Sequence, residues 1–558
     1  MKNDVEIGKP SAPRSKLWTW NSFRFRIVFA LALALSIEGL MRSNINMAMI
    51  CMVNRTAVDA LNEKVLPLTP APTLLNTNES QLLKIIENKG QIDECESEDL
   101  GFIKSRQAMK KAQLAKHYNG NLVIKKPDQA LIFTSFYAGG VAIVIPGSYL
   151  CDRFGAKNVV LIGAIVNVIG TFLTPFVAST MHAYALVTLR FIMGCGQGIL
   201  VPCMNVLIAH WFPLAEKSTA IAISTTGNQV SVIVAMFLTA ELCQINLFGG
   251  WPLAFHSYGI IGLGFCIFWT VYVYNSPSKA KNISTDEVLY IQECSHNVGG
   301  KKIGANEVPW KAIFTSPTVW ATALNSFSQN FMTVGTITYI PSYYQTVLRM
   351  DLSANGLMSA FPFIFQLITK IILAGSADWL RKNKVMSHNS VTKIYNLIAS
   401  FGSGICYFLL TFCDCRSSTW AIILVILAIG LSSGFIPGYN TSMVCIAPRY
   451  TSSVASFCRL LGQIAAVASP YMIGYIVQKG TKEEWKIAFY VMTIVLFICG
   501  AAFQFFGSGE TFEWAKAPSP PTSDSRLQPS NGSANAMLLP EEGIKSIESE
   551  NNDIKMEN

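Results

Sequence analysis

The chain has 558 residues, of which 51% are hydrophobic and 14% charged, and its formal net charge is +9. Soluble proteins carry about a quarter charged residues, so this composition, with a mean hydropathy of +0.36, excludes an ordinary soluble protein. The basic residues lie beside long apolar stretches and are not interleaved with base-stacking aromatics. The charge therefore indicates membrane orientation and not nucleic-acid binding.

Twelve apolar stretches approach or exceed the roughly 20 residues with which a helix crosses a bilayer. The first follows a polar, proline-containing start and has full span length, so we read it as an uncleaved span and not as a signal peptide. A polar segment separates the first six stretches from the last six. The predicted spans are 27–53, 129–151, 158–178, 184–208, 218–241, 253–275, 317–343, 353–374, 393–412, 419–441, 451–477 and 486–506. The sequence thus predicts an all-α membrane protein with about 12 transmembrane helices in two six-helix halves.

The polar segments divide the chain into five regions. We expect a cytoplasmic N-terminal tail, a six-helix half interrupted by a long lumenal loop, a cytoplasmic central loop, a second six-helix half, and a Ser-, Pro- and Asn-rich cytoplasmic tail that is disordered. In order, these regions are 1–26, 27–275 with the loop at 54–127, 276–316, 317–508 and 509–558.

Short basic loops set the orientation. The loops at 152–157, 215–217 and 381–384 are rich in Lys and Arg, so they belong in the cytoplasm together with both termini. The long loop then lies outside. It holds two matches to the glycosylation sequence, at Asn54 and Asn78.

The 14 cysteines show no paired metal-ligand spacing, and most, such as Cys51 and Cys195, lie in apolar runs typical of packing residues. Cys413, Cys415 and Cys95 fall where they would face an oxidising lumen, which leaves a disulfide open. The chain contains no nucleophile–base constellation. The sequence therefore predicts neither an enzyme nor a metal or other cofactor.

Two cytoplasmic loops repeat one pattern. The second span ends with Ser148-Tyr-Leu-Cys-Asp152-Arg153-Phe-Gly-Ala-Lys157. The eighth ends with Ala374-Gly-Ser-Ala-Asp378-Trp-Leu-Arg381-Lys-Asn-Lys384, which likewise has a small residue, an aspartate four positions later and then basic residues. Such repetition is how many transporters are built, with the substrate site between the halves. The first loop resembles the G-x-L-x-D-R-x-G-x-[RK] signature of the major facilitator superfamily, with Ser148 at the first glycine. The resemblance implies that Asp152, Arg153, Lys157, Asp378 and Arg381 form cytoplasmic gating charges that are paired in one state and released in the other.

Further motifs narrow the resemblance. Trp211-Phe-Pro-Leu-Ala-Glu-Lys-Ser218 resembles W-x-P-P-x-E-R-S, Ile446–Tyr450 reads I-A-P-R-Y, and Ser508-Gly-Glu510 with Trp514-Ala resembles the end of a last helix. In this order they are similar to solute carrier family 17, the anion/cation symporter family of sodium/phosphate-type transporters, sialin and vesicular glutamate transporters. The similarity runs from Arg42 to Trp514. It implies a major facilitator fold in the lipid bilayer and a small anion as substrate.

Away from the span ends, five residues that are charged at neutral pH fall inside predicted spans: Glu38, Arg42, Arg190, Lys370 and Arg459. A charge at mid-bilayer costs at least ~2.5–3.5 kcal/mol, so each needs an explanation. Cations outnumber the acid, which indicates a cavity that binds an anion, and guanidinium groups bind carboxylates in bidentate fashion.

The family keeps arginines facing the central cavity at the positions of Arg42 and Arg190, which are our first candidates for substrate binding. The alternative is that they pair internally or bond to helix carbonyls, and Glu38 precedes Arg42 by four residues, the favourable direction for an ion pair. Relatives have an uncharged residue at Glu38, so this acid either weakens the anion site or titrates as a coupling group. Lys370 and Arg459 either extend the site or extend toward the interface.

The aromatic and amide candidates for the cavity wall are Tyr137, Tyr339 and Asn325, with ordinary helix packing as the alternative. Gln197 follows Arg190 by nearly two helical turns and shares its face. Proton-coupled members have a glutamate there, in G-x-G-E-G, whose protonation a neighbouring arginine influences. An amide does not titrate, although it still hydrogen-bonds a substrate.

Members of the sodium/phosphate-type branch, which move organic anions, have A-Q-G where this chain has Gly196-Gln197-Gly198, so the glutamine resembles that branch. The cavity histidine and the seventh-span arginine of the vesicular glutamate transporters correspond to Phe133 and Gln329, which argues against glutamate. Gly194 and Gly198 are spaced for close helix packing, and Pro202 predicts a kink.

The pattern favours an anion transporter that works by alternating access and is driven by the membrane potential. A proton- or sodium-coupled symporter that uses Glu38 is the second hypothesis. A nontransporting membrane sensor or receptor is the third. Leu538-Leu539 lacks the upstream acid of a dileucine sorting signal, which favours the plasma membrane over a vesicular or lysosomal membrane.

Overall fold

The computed structural model describes residues 22–54, 57–58, 120–212, 214–245, 247, 249–277, 280, 283–296, 309–447, 450–512 and 515. These residues are almost entirely helical, and they hold one isolated β-bridge, between Val53 and Leu122. In chain order the helices are α1 Phe23–Met52, α2 Lys126–Phe154, α3 Ala156–Thr180, α4 Ala183–Trp211, α5 Leu214–Gln244, α6 Trp251–Tyr272, α7 Thr285–His296, α8 Trp310–Thr315, α9 Pro317–Thr346, α10 Leu352–Lys382, α11 His388–Leu410, α12 Ser418–Cys445, α13 Thr451–Ile476 and α14 Lys482–Phe506.

Twelve of these helices are long enough to be spans, and α7 and α8 are shorter helices of the central segment. Eight satisfy both the length and the apolarity expected of a membrane helix, namely α3, α4, α5, α6, α10, α11, α12 and α14. The other four, α1, α2, α9 and α13, have 26 to 30 residues. These four lie where the halves meet, because α2 packs against α13 and α1 against α9. Polar side chains there face protein and not lipid.

Proline explains the break in α4. The helix is interrupted at Ile199, between Gly198 and Leu200. Pro202 has no N–H for the carbonyl of Gly198, and its ring clashes with that carbonyl. The predicted kink is therefore confirmed. In α12, Pro437 and the non-helical backbone of Gly438 (φ −80°, ψ −120°) interrupt the span in the same way.

The hydrophobic core shows how the halves are arranged. At the outer ends a single cluster joins them: Ile50 and Phe133 of the first half and Tyr339 and Ile473 of the second belong to it. By contrast, the cluster from Phe23 to Ile291 contains residues of the first half and of α7 and none of the second half. The halves are thus closed together at the end near the predicted outer loop and separate at the end near the central segment. With the orientation expected from the basic loops, this arrangement is inward-open.

Several predicted features lie outside the described residues. They include the glycosylation site at Asn78, the thiol of Cys95, the side chain of Cys415 and the tail from 516. Asn54 is described, and its Oδ1 accepts a hydrogen bond from the N–H of Ala57 at 3.0 Å. Cys413 is a free thiol.

Candidate functional site

Arg190 is buried where α4 crosses α1, with 1% of its surface exposed. Its Nη2 donates to the carbonyl of Arg42 at 3.2 Å, and its Nη1 makes a longer contact with the carbonyl of Met41 at 3.4 Å. The guanidinium lies 5.3 Å from the ring centre of Phe136. Its Nε has no partner. In this inward-open conformation Arg190 therefore bonds to helix carbonyls and keeps one unused donor.

Arg42 lies on the turn of α1 whose carbonyls accept hydrogen bonds from Arg190, and its side chain is partly buried. Its Nη2 is 3.9 Å from the position that a Cβ on Gly39 would occupy, so the side chain runs along α1 near the contact with Ser231 of α5. Among the described residues no carboxylate lies within 4.0 Å of it. The possible helical ion pair with Glu38 is not formed.

Glu38 points toward α3 instead. Only 3% of its surface is exposed. Its Oε2 accepts a hydrogen bond from Nδ2 of Asn167 at 2.7 Å, and its Oε1 has no partner. The side chain therefore bonds to α3 inside the first half and makes no ion pair with Arg42, which follows it along α1.

Gln197 and Tyr137 complete the first-half candidates, and both are partly buried. The ring of Tyr137 packs edge-on against Phe136, with centroids 5.9 Å apart, so both Tyr137 and Arg190 contact Phe136. Gln197 stands about 10 Å further along α4 than Arg190, since a helix rises 1.5 Å per residue. Its buried Oε1 has no hydrogen-bond donor.

Close packing of α2 and α4 fixes this region. A Cβ on Gly194 would come 1.9 Å from the carbonyl oxygen of Phe136, and one on Gly198 would come 2.8 Å from that of Gly140. The prediction that these glycines serve helix packing is confirmed. The backbone that carries Arg190 is thereby held directly against the helix that carries Phe136.

In the second half, Lys370 is partly buried on α10 and Arg459 is exposed on α13. Like Arg190, neither has a carboxylate within 4.0 Å in the described part of the chain. Just before Lys370, the hydroxyl of Thr369 lies 3.0 Å from that of Ser433 on α12. Just after it, Ile371 is 70% exposed and faces outward. Lys370 thus lies between the face of α10 that packs against α12 and the face that points outward.

The two remaining candidates take structural positions. Asn325 is fully buried and donates to the carbonyls of Ala321 and Cys499 at 2.9 and 2.8 Å, so it belongs to helix packing. The hydroxyl of Tyr339 donates to the carbonyl of Pro470 at 2.9 Å. Its ring meets Phe133 of the first half, with centroids 5.7 Å apart. Tyr339 therefore helps to close the outer side.

Above this closure lies a pocket of about 700 Å³, a volume that includes space open to solvent. Its first-half wall includes Asn46, one helical turn beyond Arg42, together with Lys126. Its second-half wall includes Ser342 and Lys479. An outer vestibule with a lysine from each half thus sits on the far side of the Phe133–Tyr339 contact from Arg42.

The predicted gating charges make contacts within their own halves. Arg153 is exposed and contacts the hydroxyl of Tyr149 at 3.3 Å, and Lys157 Nζ donates to the carbonyl of Thr270 at 2.7 Å. Arg381 lies 3.4 Å from Asp378 and donates to the carbonyl of Pro437 at 2.9 Å. The side chain of Asp152 lies outside the described residues. These contacts agree with a cytoplasmic side that is open.

A buried ion cluster at the cytoplasmic end was not predicted. Arg24 is fully buried; its Nη1 is 2.5 Å from Glu216, in the first turn of α5, and its Nε is 3.1 Å from Glu287 on α7. Its guanidinium also lies 4.7 Å from the ring centre of Tyr290. Arg24 belongs to α1, which begins at Phe23, four residues before the predicted first span. The motif around Glu216 was visible in the sequence, but nothing there connects it with the central segment.

Glu287 caps the start of α1. It accepts hydrogen bonds from the N–H groups of Phe23 and Arg24 at 3.0 and 3.1 Å and from the hydroxyl of Ser22 at 2.8 Å. Burial alone would raise the pKa of Glu287, but these hydrogen bonds outweigh burial and hold the pKa below its usual value. The helix α7 is therefore fastened to the first half.

Two six-helix halves that meet at one end, separate at the other and carry cations within their spans define the architecture of a membrane transporter. The Major Facilitator Superfamily model matches residues 31–444. The uncharacterized transporter slc-17.3 of Caenorhabditis elegans is 31% identical over 498 residues, covering 89% of this chain and 90% of the relative. The chain therefore belongs to the major facilitator superfamily and, within it, to solute carrier family 17.

Other relatives span the same family. A putative inorganic phosphate cotransporter of Drosophila melanogaster is 28% identical, over 88% of this chain and 86% of that protein. Vesicular glutamate transporter 1 of Xenopus tropicalis is 28% identical, over 72% and 70%. The inward-open xylose transporter XylE of E. coli matches with a TM-score of 0.56 and 14% identity, over 86% of this chain and 96% of that one. At that identity the structural match shows the fold alone.

Proposed function

We propose that this protein moves a small organic or inorganic anion across the membrane by alternating access of its two halves. The observation that carries the proposal is the set of cations within the spans, Arg42, Arg190, Lys370 and Arg459, none of which has a carboxylate within 4.0 Å in the described part of the chain. An embedded cation is costly unless a negative group pairs with it. A transported anion supplies that negative group.

The first half supplies the primary anion site. Arg190 on α4 donates to the backbone carbonyl of Arg42 on α1, so the two residues lie where these helices cross. In the described part of the chain, Nε of Arg190 has no partner. Guanidinium groups suit carboxylate and phosphate oxygens because they offer paired donors and stay charged. Tyr137 borders the site, and the unpartnered Oε1 of Gln197 accepts a hydrogen bond from a substrate that carries a hydroxyl. Two relatives are named for inorganic phosphate and glutamate, both anions.

The membrane potential drives the movement in our preferred mechanism. Gln197 cannot titrate, so the site keeps its positive charge, and the vestibule lysines Lys126 and Lys479 raise the local anion concentration outside. An inside-negative potential favours anion exit by ~2.3 kcal/mol per charge per 100 mV. We place the protein in the plasma membrane, where that potential acts; surface biotinylation of cells that express the full chain tests this location.

A symporter coupled to protons or sodium is the second candidate. The buried carboxyl of Glu38, which has an unpartnered oxygen, favours it. In this version Glu38 replaces the titratable group that the family carries at Gln197.

Flux assays on the full-length protein in proteoliposomes separate these versions. Labelled phosphate, glutamate and urate are offered under an imposed voltage alone and under a pH or sodium gradient alone. Voltage-driven net flux that Arg190→Gln abolishes and Arg26→Gln preserves supports the preferred mechanism. Flux that requires the ion gradient supports the symporter. Binding without flux would contradict transport altogether.

A further inference from the structure

Glu38 and Asn167 form a buried polar pair whose hydrogen bonds are incomplete. Their exposed fractions are 3% and 1%. Nδ2 of Asn167 donates to Oε2 of Glu38 at 2.7 Å and to the carbonyl of Gly163 at 3.2 Å. The second oxygen of each side chain, Oε1 of Glu38 and Oδ1 of Asn167, is buried and has no donor among the residues that the structure describes. Each unpaired buried acceptor costs about 1–3 kcal/mol.

One added proton repairs both defects. An ionised carboxylate only accepts hydrogen bonds, whereas a protonated carboxyl also donates one. With the proton on Oε1, Glu38 donates to the amide oxygen of Asn167 and accepts from its N–H, a reciprocal acid–amide pair. The proton comes from hydronium, which leaves as water, and no other reactant is needed. We infer that Glu38 and Asn167 form a proton-binding site inside the first half, distinct from the contacts of Arg190.

Among the described groups around the pair, the positive field of Arg42 opposes this proton, but no ion pair does. On α1 the charged neighbour is Arg42, which makes no ion pair with Glu38; on α6 the titratable neighbour is Cys266. From α4, Arg190 bonds to the next turn of α1, at Met41 and Arg42. On α5, Ser231 abuts Gly39. In the described part of the chain, no cation comes within 4.0 Å of the Glu38 carboxyl to hold it ionised.

The site communicates with the anion site that we propose above, and this step rests on that proposal. Glu38 and Arg42 are four residues apart on α1, so their Cβ atoms lie roughly 5–6 Å apart. An ionised Glu38 competes with the anion for the positive field of Arg42, and a protonated one does not. Proton and anion therefore bind more tightly together than alone. By reciprocity the bound anion also strengthens proton binding.

Infrared difference spectroscopy tests the site on the full chain in lipid, with no transported anion present. We expect a pH-dependent carbonyl band of a protonated carboxylic acid that Glu38→Gln removes. Asn167→Leu keeps the band but shifts it, because the amide partner is gone. Glu483→Gln, the same change on a side chain that is 75% exposed, leaves the band unchanged. A spectrum without a band that depends on Glu38 would overturn the site, and so would a band that sodium, in place of choline, abolishes.

Two further measurements distinguish failure of this proton site from failure of the proposed anion transport. In Arg190→Gln the Glu38 band still titrates, even if all anion transport is lost. Addition of inorganic phosphate to the wild type raises the midpoint pH by about one unit, a tenfold coupling that lies within the usual range, and it has no effect in Arg190→Gln. An unchanged midpoint in the wild type would overturn the link to phosphate binding. Thermal unfolding of each variant confirms that it is folded.

Discussion

Replacing Arg24 by alanine tests whether α7 is fastened to the first half by buried charge. Arg24 is the shared partner of two carboxylates, Glu216 and Glu287, at 2.5 and 3.1 Å, and none of its side chain is exposed. Removing one partner of a buried ion pair costs about 3–5 kcal/mol, because the remaining charge stays buried without compensation. Here two carboxylates lose their cation, although the N–H groups of the first turn still bond to Glu287.

Hydrogen–deuterium exchange of the full-length protein in detergent measures this loss locally. A cost of about 3–5 kcal/mol corresponds to roughly 100- to 4,000-fold faster exchange in α7 and the first turn of α1, up to the unprotected rate. Arg26→Ala is the matched control, since Arg26 is exposed and its guanidinium lies 5.8 Å from the ring centre of Phe23. That contact contributes at most about 1 kcal/mol. Equal exchange in α7 of the two variants would refute the reasoning.

Three further predictions follow from the same contacts. The pKa of Glu287 is lowered in the folded protein, so its ionised form stabilises the α7 contact. This stabilisation is complete above the ordinary Glu pKa of about 4.3 and is lost as the pH falls below that value. Glu287→Gln should therefore flatten the acid limb of a plot of melting temperature against pH. Gly194→Ala should destabilise the protein by about 1–3 kcal/mol through forced separation of α2 and α4, whereas Gly264→Ala, with nothing within 4 Å, should be neutral or stabilising; equal melting temperatures would contradict this. Tyr339→Ala should weaken the outer closure and increase labelling of a cysteine placed at Tyr137, one helical turn inward from Phe133, by an impermeant thiol reagent added from outside. Unchanged labelling would show that the ring does not hold the closure.

The fold was predictable because span length and composition depend on the bilayer and not on partners. All twelve predicted spans contain a long helix, and the position of Pro202 was enough to predict the break in α4. The start of α1 was set four residues too late. Phe23 and Arg24 are helical because Glu287, more than 260 residues away, accepts their N–H groups. A contact between residues so far apart in the chain leaves no pattern in the sequence around either residue.

The site was predictable as a set of residue types but not as a geometry. An arginine in an apolar run indicates a buried cation, yet its acceptors in α1 follow only from the crossing of α4 and α1. Spacing suggested that Glu38 pairs with Arg42, whereas the rotation of α1 turns Glu38 toward Asn167. Helical spacing fixes which residues share a face, and packing of the neighbouring helices decides what that face meets.

Counterflow of labelled anions in proteoliposomes tests the central claim most directly, because exchange needs neither a voltage nor an ion gradient. Wild-type protein is compared with Arg42→Gln, Arg190→Gln and the exposed control Arg26→Gln. If unpaired guanidinium groups bind the substrate, each of the first two changes costs about 2 kcal/mol or more, roughly a 30-fold loss of apparent affinity, and the control costs nothing. An anion exchanged equally well by the wild type, by Arg42→Gln and by Arg190→Gln would contradict the account.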